Sequence, residues 1–137
     1  MAKSIVADGE GATKLITINV SNAESSKDAD KIAKALANSP LVKTAMYGED
    51  ANWGRIISSA GSSGANFNPD NVEIYLGDKP VLLSGYRVVI DEDEVKAVLR
   101  QKEVSINIDV NEGSNNTTWW TCDYSENYIK INALYRS

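Results

Sequence analysis

The amino-acid sequence predicts a mixed α+β fold in which helices pack on a sheet. Segments with apolar residues at alternate positions occur among segments whose apolar residues recur every three or four positions. Short polar or glycine-containing stretches separate these segments, as turns do. The chain has 137 residues, which suits a single domain over 1–137 with one modest core. The predicted order of elements is β-α-β-α-β-β-α-β-β-β.

The first strand and the first helix have the clearest patterns. Residues 14–23 alternate apolar and polar side chains, and the apolar set on one face is Ile16, Ile18 and Val20. The next segment, 24–40, has helical spacing of its apolar residues Ala29, Ile32, Ala33 and Leu36. Ser25 with Asp28 predicts the start of this helix, and Asn38-Ser39-Pro40 predicts its end.

The middle of the chain continues the alternation. Residues 41–48, "LVKTAMYG", are interpreted as a second strand, and residues 52–64 as a short helix that ends in a glycine-serine loop. Strands are predicted at 72–76 and 81–83, joined by a Gly-Asp turn. Residues 91–101 predict a helix, because Asp91 and Glu94 suit a capping box and Val95, Val98 and Leu99 form an apolar stripe.

Three further strands are predicted in the last third of the chain, at 104–110, 117–125 and 128–136. The segment "WWTCDYS" within the second of these has two open interpretations. Its aromatic residues are either packed inward or form a stacking platform for bases, and the acidic charge of the chain favours packing. Cys122 is expected to be a buried, unreactive thiol.

The composition excludes several classes of function. The formal net charge is −5, which argues against a nucleic-acid partner and against an anionic membrane surface. The sequence has no histidine and one cysteine, which excludes a Ser-His-Asp triad and makes a structural zinc site untenable. We expect no metal, and we expect a cytoplasmic protein without a signal peptide or a membrane span.

Two glycine-containing segments are candidates for ligand contacts. Residues 8–14, "DGEGATK", place Glu10 between two glycines just before the first strand, but the segment matches neither a Walker A motif nor a dinucleotide-binding fingerprint. Residues 48–55, "GEDANWGR", lie at a predicted strand-to-helix junction, where backbone amides are available to a ligand. The alternative for this junction is structural: Asp50 or Asn52 caps the helix, Trp53 packs, and Arg55 pairs with an acid.

Three stretches resemble one family in order along the chain: "AKSIVADGEGATK", "ALANSPLVKTAMYGEDANWGRIISSAG" and "WTCDYSENYIKINALYRS". They are similar to the C-terminal part of the β-chain of ornithine acetyltransferase, also called glutamate N-acetyltransferase. The resemblance runs from residue 2 to the last residue, and it implies an N-terminal-nucleophile-like acetyltransferase fold.

The resemblance implies a reaction in arginine biosynthesis. The family moves an acetyl group from N-acetylornithine to glutamate by a ping-pong route through an acetylated threonine, and some members also use acetyl-CoA. That threonine begins the family's β-chain, well upstream of the "DGEG" motif. The resemblance therefore implies that the nucleophile, the α-chain and the first part of the β-chain are not among these residues, and that this chain alone is inactive. No cofactor is expected.

The resemblance also implies three substrate-binding residues, which are Glu10 of "DGEG", Asn132 of "INA" and Ser137. A carboxylate can pair with the amine of an amino acid, and an asparagine supplies both a donor and an acceptor. The three residues are expected to converge, with the final strand beside the strand that follows "DGEGATK". We also expect apolar surface left exposed by the missing parts, and a homo-oligomer that covers it.

A second class of function stays open at this point. A small acidic α+β domain can also be a stand-alone amino-acid-binding or regulatory module without catalysis. The two hypotheses differ in whether these residues work within a larger acetyltransferase.

Overall fold

The computed structural model describes residues 14–123. Within that range the chain forms six strands, four α-helices and one turn of 3₁₀ helix at Pro69–Asn71. The strands are β1 Leu15–Ala23, β2 Glu73–Leu76, β3 Lys79–Leu83, β4 Arg87–Val88, β5 Glu103–Asp109 and β6 Asn115–Cys122. The helices are α1 Ser26–Asn38, α2 Pro40–Tyr47, α3 Trp53–Gly61 and α4 Glu92–Leu99.

The strands form one mixed sheet in the order β4-β3-β2-β5-β1-β6. β1 pairs in parallel with β5 on one edge and antiparallel with β6 on the other. The remaining pairs, β2 with β5, β2 with β3 and β3 with β4, are antiparallel. Both edges of β1 are therefore paired with described strands. The expectation that the final strand at 128–136 runs beside β1 concerns residues outside the described range and stays a prediction.

The hydrophobic core lies between one face of the sheet and the helices. β1, β5 and β2 direct the same kind of side chain to this face, because residues two apart share a face of a strand. These residues are fully or almost fully buried, and they are Ile16, Ile18, Val20, Ile74, Leu76, Val104, Ile106 and Ile108. Helix α1 covers β1 and β6 with the four apolar residues that its periodicity predicted, Ala29, Ile32, Ala33 and Leu36.

The segment 41–48 is a helix, so its interpretation as a strand is wrong. Ser39 and Pro40 explain the difference, because a serine followed by proline starts a helix as well as it ends one. Ser39 closes α1, and its Oγ also accepts a hydrogen bond from the Val42 amide at 3.2 Å, which caps α2. Val42, Ala45 and Met46 are buried at helical spacing.

The other predicted elements within the described range are present, with ends shifted by a few residues. Strand β4 was not predicted, and it is only two residues long. The predicted caps also hold, since Ser25 accepts from the Asp28 amide at 3.0 Å and Asp91 accepts from the Glu94 amide at 3.1 Å.

Candidate functional site

The three predicted substrate-binding residues, Glu10, Asn132 and Ser137, lie outside residues 14–123, which the structure describes. They belong to the two flanks of that range. The structure shows where each flank joins the sheet: one at Lys14 and the other at Asp123.

The two flanks join the sheet at the same end of neighbouring strands. β1 begins at Leu15 and β6 ends at Cys122, and these two residues are paired in the antiparallel register. One residue further out, the Lys14 backbone N–H donates a hydrogen bond to Oδ1 of Asp123 at 3.1 Å. We call this bond the Lys14–Asp123 clasp. It joins residues 109 positions apart in the sequence.

The clasp is enclosed by the protein. Lys14 is 7% exposed and Asp123 is 3% exposed. The Lys14 side chain reaches the loop after α4, where its Nζ donates to the Gln101 carbonyl at 3.3 Å. The Leu15 amide donates to the Lys102 carbonyl at 2.8 Å, so the same loop also holds the start of β1. Lys14 is therefore held by β6 and by the loop before β5.

β6 is also tied to the helical layer next to the clasp. The Thr121 hydroxyl donates to the Ala37 carbonyl of α1 at 3.3 Å, and Thr121 is buried. Leu15 and Cys122 form a small separate apolar cluster with Trp120 against it. Cys122 is completely buried, as expected.

The junction at 48–55 has mainly structural contacts. Asn52 caps α3, because its Oδ1 accepts from the Arg55 amide at 3.1 Å, and its Nδ2 donates to Asp50 at 3.2 Å. The Arg55 guanidinium donates to the Leu41 carbonyl at 3.0 Å. The structural interpretation of this segment thus accounts for its cap, and the main-chain carbonyl of Leu41 stands where an acid was expected.

A cleft of about 300 Å³ lies between this junction and α4. Its walls are backbone and side chains of Gly48, Glu49, Asp50, Ala51, Glu92, Val95, Lys96 and Leu99. Glu49 lies 3.8 Å from the Arg100 guanidinium, and Trp53 makes an edge-to-face contact with Tyr86 at 5.9 Å between ring centroids. The Glu49 and Asp50 carboxylates contact other groups of the protein, and nothing in the structure points to a ligand, so we assign the cleft none.

The two tryptophans of β6 point to opposite faces of the sheet. Trp119 packs against the main core, and its Nε1 donates to Asp30 of α1 at 3.2 Å. Trp120 packs against Leu15 and Cys122. Both rings are partly buried, which agrees with the interpretation of this segment as a packed strand.

The face of the sheet opposite the helices carries a chain of polar side chains that sequence reasoning missed. Thr118 donates to Asn19 at 2.8 Å, and Asn19 donates to Asn107 at 2.8 Å. Asn107 donates in turn to the Gly77 carbonyl at 2.8 Å and to Ser105 at 3.1 Å. The alternation of the strands places these residues on one face, but the sequence does not reveal the register that joins them.

One titratable side chain on this face has a shifted pKa. Partial burial raises the pKa of Tyr75, and the nearby Glu73 carboxylate raises this pKa further. The Tyr75 hydroxyl donates to Glu73 at 3.3 Å.

Two kinds of site are missing from residues 14–123. This range has no cluster of three or more His, Cys, Asp or Glu side chains that could hold a metal ion. None of its helices has the length and hydropathy needed to cross a bilayer.

Known proteins resemble the chain along its whole length. A comparison with protein families matches residues 1–137 to the ArgJ family. The arginine biosynthesis bifunctional protein ArgJ of Chlorobium chlorochromatii is 50% identical over 137 residues, which are 100% of this chain and 32% of that protein. The protein of the same name from Dehalococcoides mccartyi is 52% identical over 135 residues, or 98% of this chain and 33% of that protein.

A solved structure supports the same relationship. The crystal structure of the arginine biosynthesis bifunctional protein ArgJ from Bacillus halodurans matches with a TM-score of 0.85 and 40% identity, over 97% of this chain and 63% of that chain. The predicted mixed α+β fold of the N-terminal-nucleophile type is thereby confirmed. The chain spans about a third of the length of the curated relatives it matches. These 137 residues belong to the ArgJ family.

Proposed function

We propose that this chain is the C-terminal β-chain portion of an ornithine/glutamate N-acetyltransferase, and that it supplies part of the substrate pocket. Membership of the ArgJ family along all 137 residues is the observation that carries the proposal. It also favours the acetyltransferase over the stand-alone regulatory module, because the curated relatives that match are about three times as long.

The proposed pocket wall consists of Glu10, Asn132 and Ser137. The Lys14–Asp123 clasp supports this assignment, because it brings the two flanks that carry these residues to one end of the sheet. Glu10 is four residues from Lys14, so an extended chain keeps it within about 14 Å of that residue. Asn132 is nine residues from Asp123, which limits that distance to about 32 Å. These reaches allow the residues to meet beside the clasp.

The proposed chemistry is covalent transfer in two steps. A threonine outside this chain attacks the acetyl carbonyl of N-acetylornithine, the amide bond breaks, and ornithine leaves with a proton on its amine. The amine of glutamate then attacks the threonine ester, which forms N-acetylglutamate and restores the hydroxyl. In this scheme Glu10 pairs with the amine of the amino acid, and Asn132 and Ser137 hydrogen-bond its polar groups.

The partners follow from the same scheme. They are N-acetylornithine, ornithine and glutamate, together with an α-chain and the N-terminal segment of the β-chain, in a cytoplasmic homo-oligomer. Acetyl-CoA is an alternative acetyl donor in the complete enzyme. Five large hydrophobic residues are exposed within the described range, and they agree with the expectation of a covered surface: Leu41, Tyr47, Tyr86, Val88 and Val89.

The test is substitution of Glu10 in the complete enzyme. Glu10→Ala should lower kcat/KM for acetyl transfer on the order of tenfold or more, because one charged contact to the substrate amine is lost. The melting temperature should change little, since the glycines on both sides of Glu10 predict a turn, and an acid in a turn contributes little to stability. Glu24→Ala is the matched control, because Glu24 is an exposed acid next to the start of α1.

The result can contradict the proposal in two ways. An unchanged kcat/KM together with a large fall in melting temperature would show that Glu10 is structural. Equal losses of kcat/KM in the Glu10 and Glu24 variants would show that the effect is not specific to the pocket.

A further inference from the structure

A second cleft, of about 430 Å³, lies between helix α1 and strand β6, which is the last strand in the described part of the sheet. We call it the lysine cleft, and its lining residues are Ser26, Lys27, Asp30, Lys31, Lys34 and Trp119. Its volume is within the range of cavities that hold small molecules, which is roughly 300–1,000 Å³. None of these residues belongs to the proposed substrate pocket.

Three lysines line the same side of this cleft. Lys27, Lys31 and Lys34 are spaced by four and then three positions in α1, so they share one face of the helix over about 10 Å. The Lys31 ammonium group donates a hydrogen bond to the Gly64 carbonyl at 3.5 Å. None of the ion pairs found within residues 14–123 involves these three lysines. Their positive charges are therefore not neutralised by a direct ion pair in that range.

One acid is among the lining residues, and it bonds to β6. Oδ1 of Asp30 accepts a hydrogen bond from the Thr117 hydroxyl at 2.6 Å and another from Nε1 of Trp119 at 3.2 Å. Three lysines and one aspartate give the cleft a formal charge of +2, whereas the whole chain has a formal net charge of −5. A local positive potential on an acidic protein attracts anions to this cleft.

Trp119 gives the cleft an aromatic wall. Its side chain packs against the main core and also lines the cleft. The hydrogen bond from Nε1 to Asp30 holds the ring in place. Nucleobases stack on aromatic side chains, and phosphate groups pair with lysine ammonium groups. A nucleotide carries both a base and phosphate groups, so it matches both chemistries of this cleft.

We propose that the lysine cleft binds a nucleotide. The phosphate groups contact the ammonium groups of Lys27, Lys31 and Lys34, and the base lies against the ring of Trp119. A free nucleoside triphosphate and the nucleotide end of coenzyme A both present this chemistry. The inference goes beyond the proposed acetyl transfer, because the cleft is separate from the proposed pocket residues and its test measures binding, not turnover.

The experiment is isothermal titration calorimetry of the complete protein with ATP, with coenzyme A and with pyrophosphate. The wild type should bind ATP, coenzyme A or both with a Kd below about 1 mM. Combining Lys27→Gln, Lys31→Gln and Lys34→Gln should weaken this binding on the order of tenfold, because three charge contacts at exposed positions are lost. Glutamine keeps the helix propensity of lysine, so α1 should stay intact.

The matched control removes the same number of positive charges elsewhere. Lys96→Gln, Arg100→Gln and Lys102→Gln change three exposed cations in α4 and in the loop after it. This combination should leave the Kd of the nucleotide within about twofold of the wild-type value. Raising the salt concentration should weaken binding to the wild type and to this control, and much less so in the variant without the three α1 lysines.

Trp119 tests the contact with the base. Trp119→Leu keeps an apolar side chain but removes the ring, so it should weaken nucleotide binding on the order of tenfold. Binding of pyrophosphate, which has no base, should change little in this variant. Trp119→Phe keeps an aromatic ring and should lose less nucleotide affinity than Trp119→Leu.

The source of the nucleotide follows from which ligand depends on the three lysines: ATP for a free nucleotide, coenzyme A for the acetyl donor. Three results would overturn the proposal. They are no binding of ATP or coenzyme A to the wild type, equal losses in the two triple variants, and pyrophosphate binding as tight as that of the nucleotide. A wild-type protein that transfers no acetyl group would count against the proposed function alone, because nucleotide binding is measured without turnover.

Discussion

The two halves of the sheet differ in strand length and in what they hold. The long-strand half consists of β5, β1 and β6, with seven, nine and eight residues. The hairpin half consists of β2, β3 and β4, with four, five and two residues. The long-strand half carries the clasp, and the hairpin half ends in the exposed side chains of Tyr86, Val88 and Val89.

This difference suggests that the two halves of the sheet have different roles. A site that must hold its polar groups at fixed spacing is better built on rigid elements, and long paired strands are more rigid than short ones. In the long-strand half, α1 covers β1 and β6, and β1 is paired with both β5 and β6. This half therefore provides a firm attachment for the flanks that carry the proposed pocket residues. Within the sheet, the hairpin half joins the long-strand half at the β2–β5 pairing, and the clasp lies beyond β5, between β1 and β6.

The largest expected effect comes from the centre of the long-strand half. Ile106 of β5 is 0% exposed and pairs with Ile18 of β1, whereas Val88 of β4 is 49% exposed. Ile106→Ala should lower the free energy of unfolding by about 2–5 kcal/mol, because it leaves a cavity in a packed core. Val88→Ala should change that free energy by less than about 0.5 kcal/mol. Chemical denaturation of the two variants measures both values, and similar losses would remove the distinction between the halves.

Two glycines, one in each half of the sheet, provide the next test of the difference in stability. A Cβ on Gly113, in the turn before β6, would lie 2.5 Å from the Ala23 carbonyl oxygen, so the backbone there must move. Gly85, in the turn before β4, has a φ of 84° and open space around the position of a Cβ. Gly113→Ala should therefore cost about 2–3 kcal/mol, and Gly85→Ala about 1 kcal/mol from its left-handed backbone. Thermal denaturation that ranks Gly85→Ala as the worse variant would contradict this account.

The sequence predicted most elements of both halves, but not how they meet. Periodicity and caps were enough for β1, α1 and α4, because those signals are local. The interpretation of residues 41–48 as a strand was wrong because eight residues with mixed apolar spacing fit the period of a strand and that of a helix. The Ser39-Pro40 pair can also end one helix or start the next.

The clasp could not be predicted, because it depends on pairing between residues 109 positions apart. The same holds for the polar chain through Asn19, Asn107 and Thr118, which requires the register of three strands. The predicted site residues Glu10, Asn132 and Ser137 came from the family resemblance, and they stay predictions because they lie outside the described residues.

The smallest expected effect concerns Tyr75 of β2, at the border between the halves. Its pKa is raised above the ordinary value of 10.0, first by partial burial and then by the Glu73 carboxylate. Below pH 10 the phenol is protonated in the folded and the unfolded chain, so it adds no pH dependence to stability. As the pH rises through 10, the unfolded chain loses this proton first, so the folded state loses stability until its own, higher pKa is reached. Tyr75→Phe removes this contribution, and the fall in melting temperature between pH 8 and about pH 10.5 should be smaller in the variant than in the wild type. All other ionisable side chains are the same in the two proteins, so the difference between the two curves isolates Tyr75. Identical curves would mean that the folded chain does not raise the pKa of this phenol.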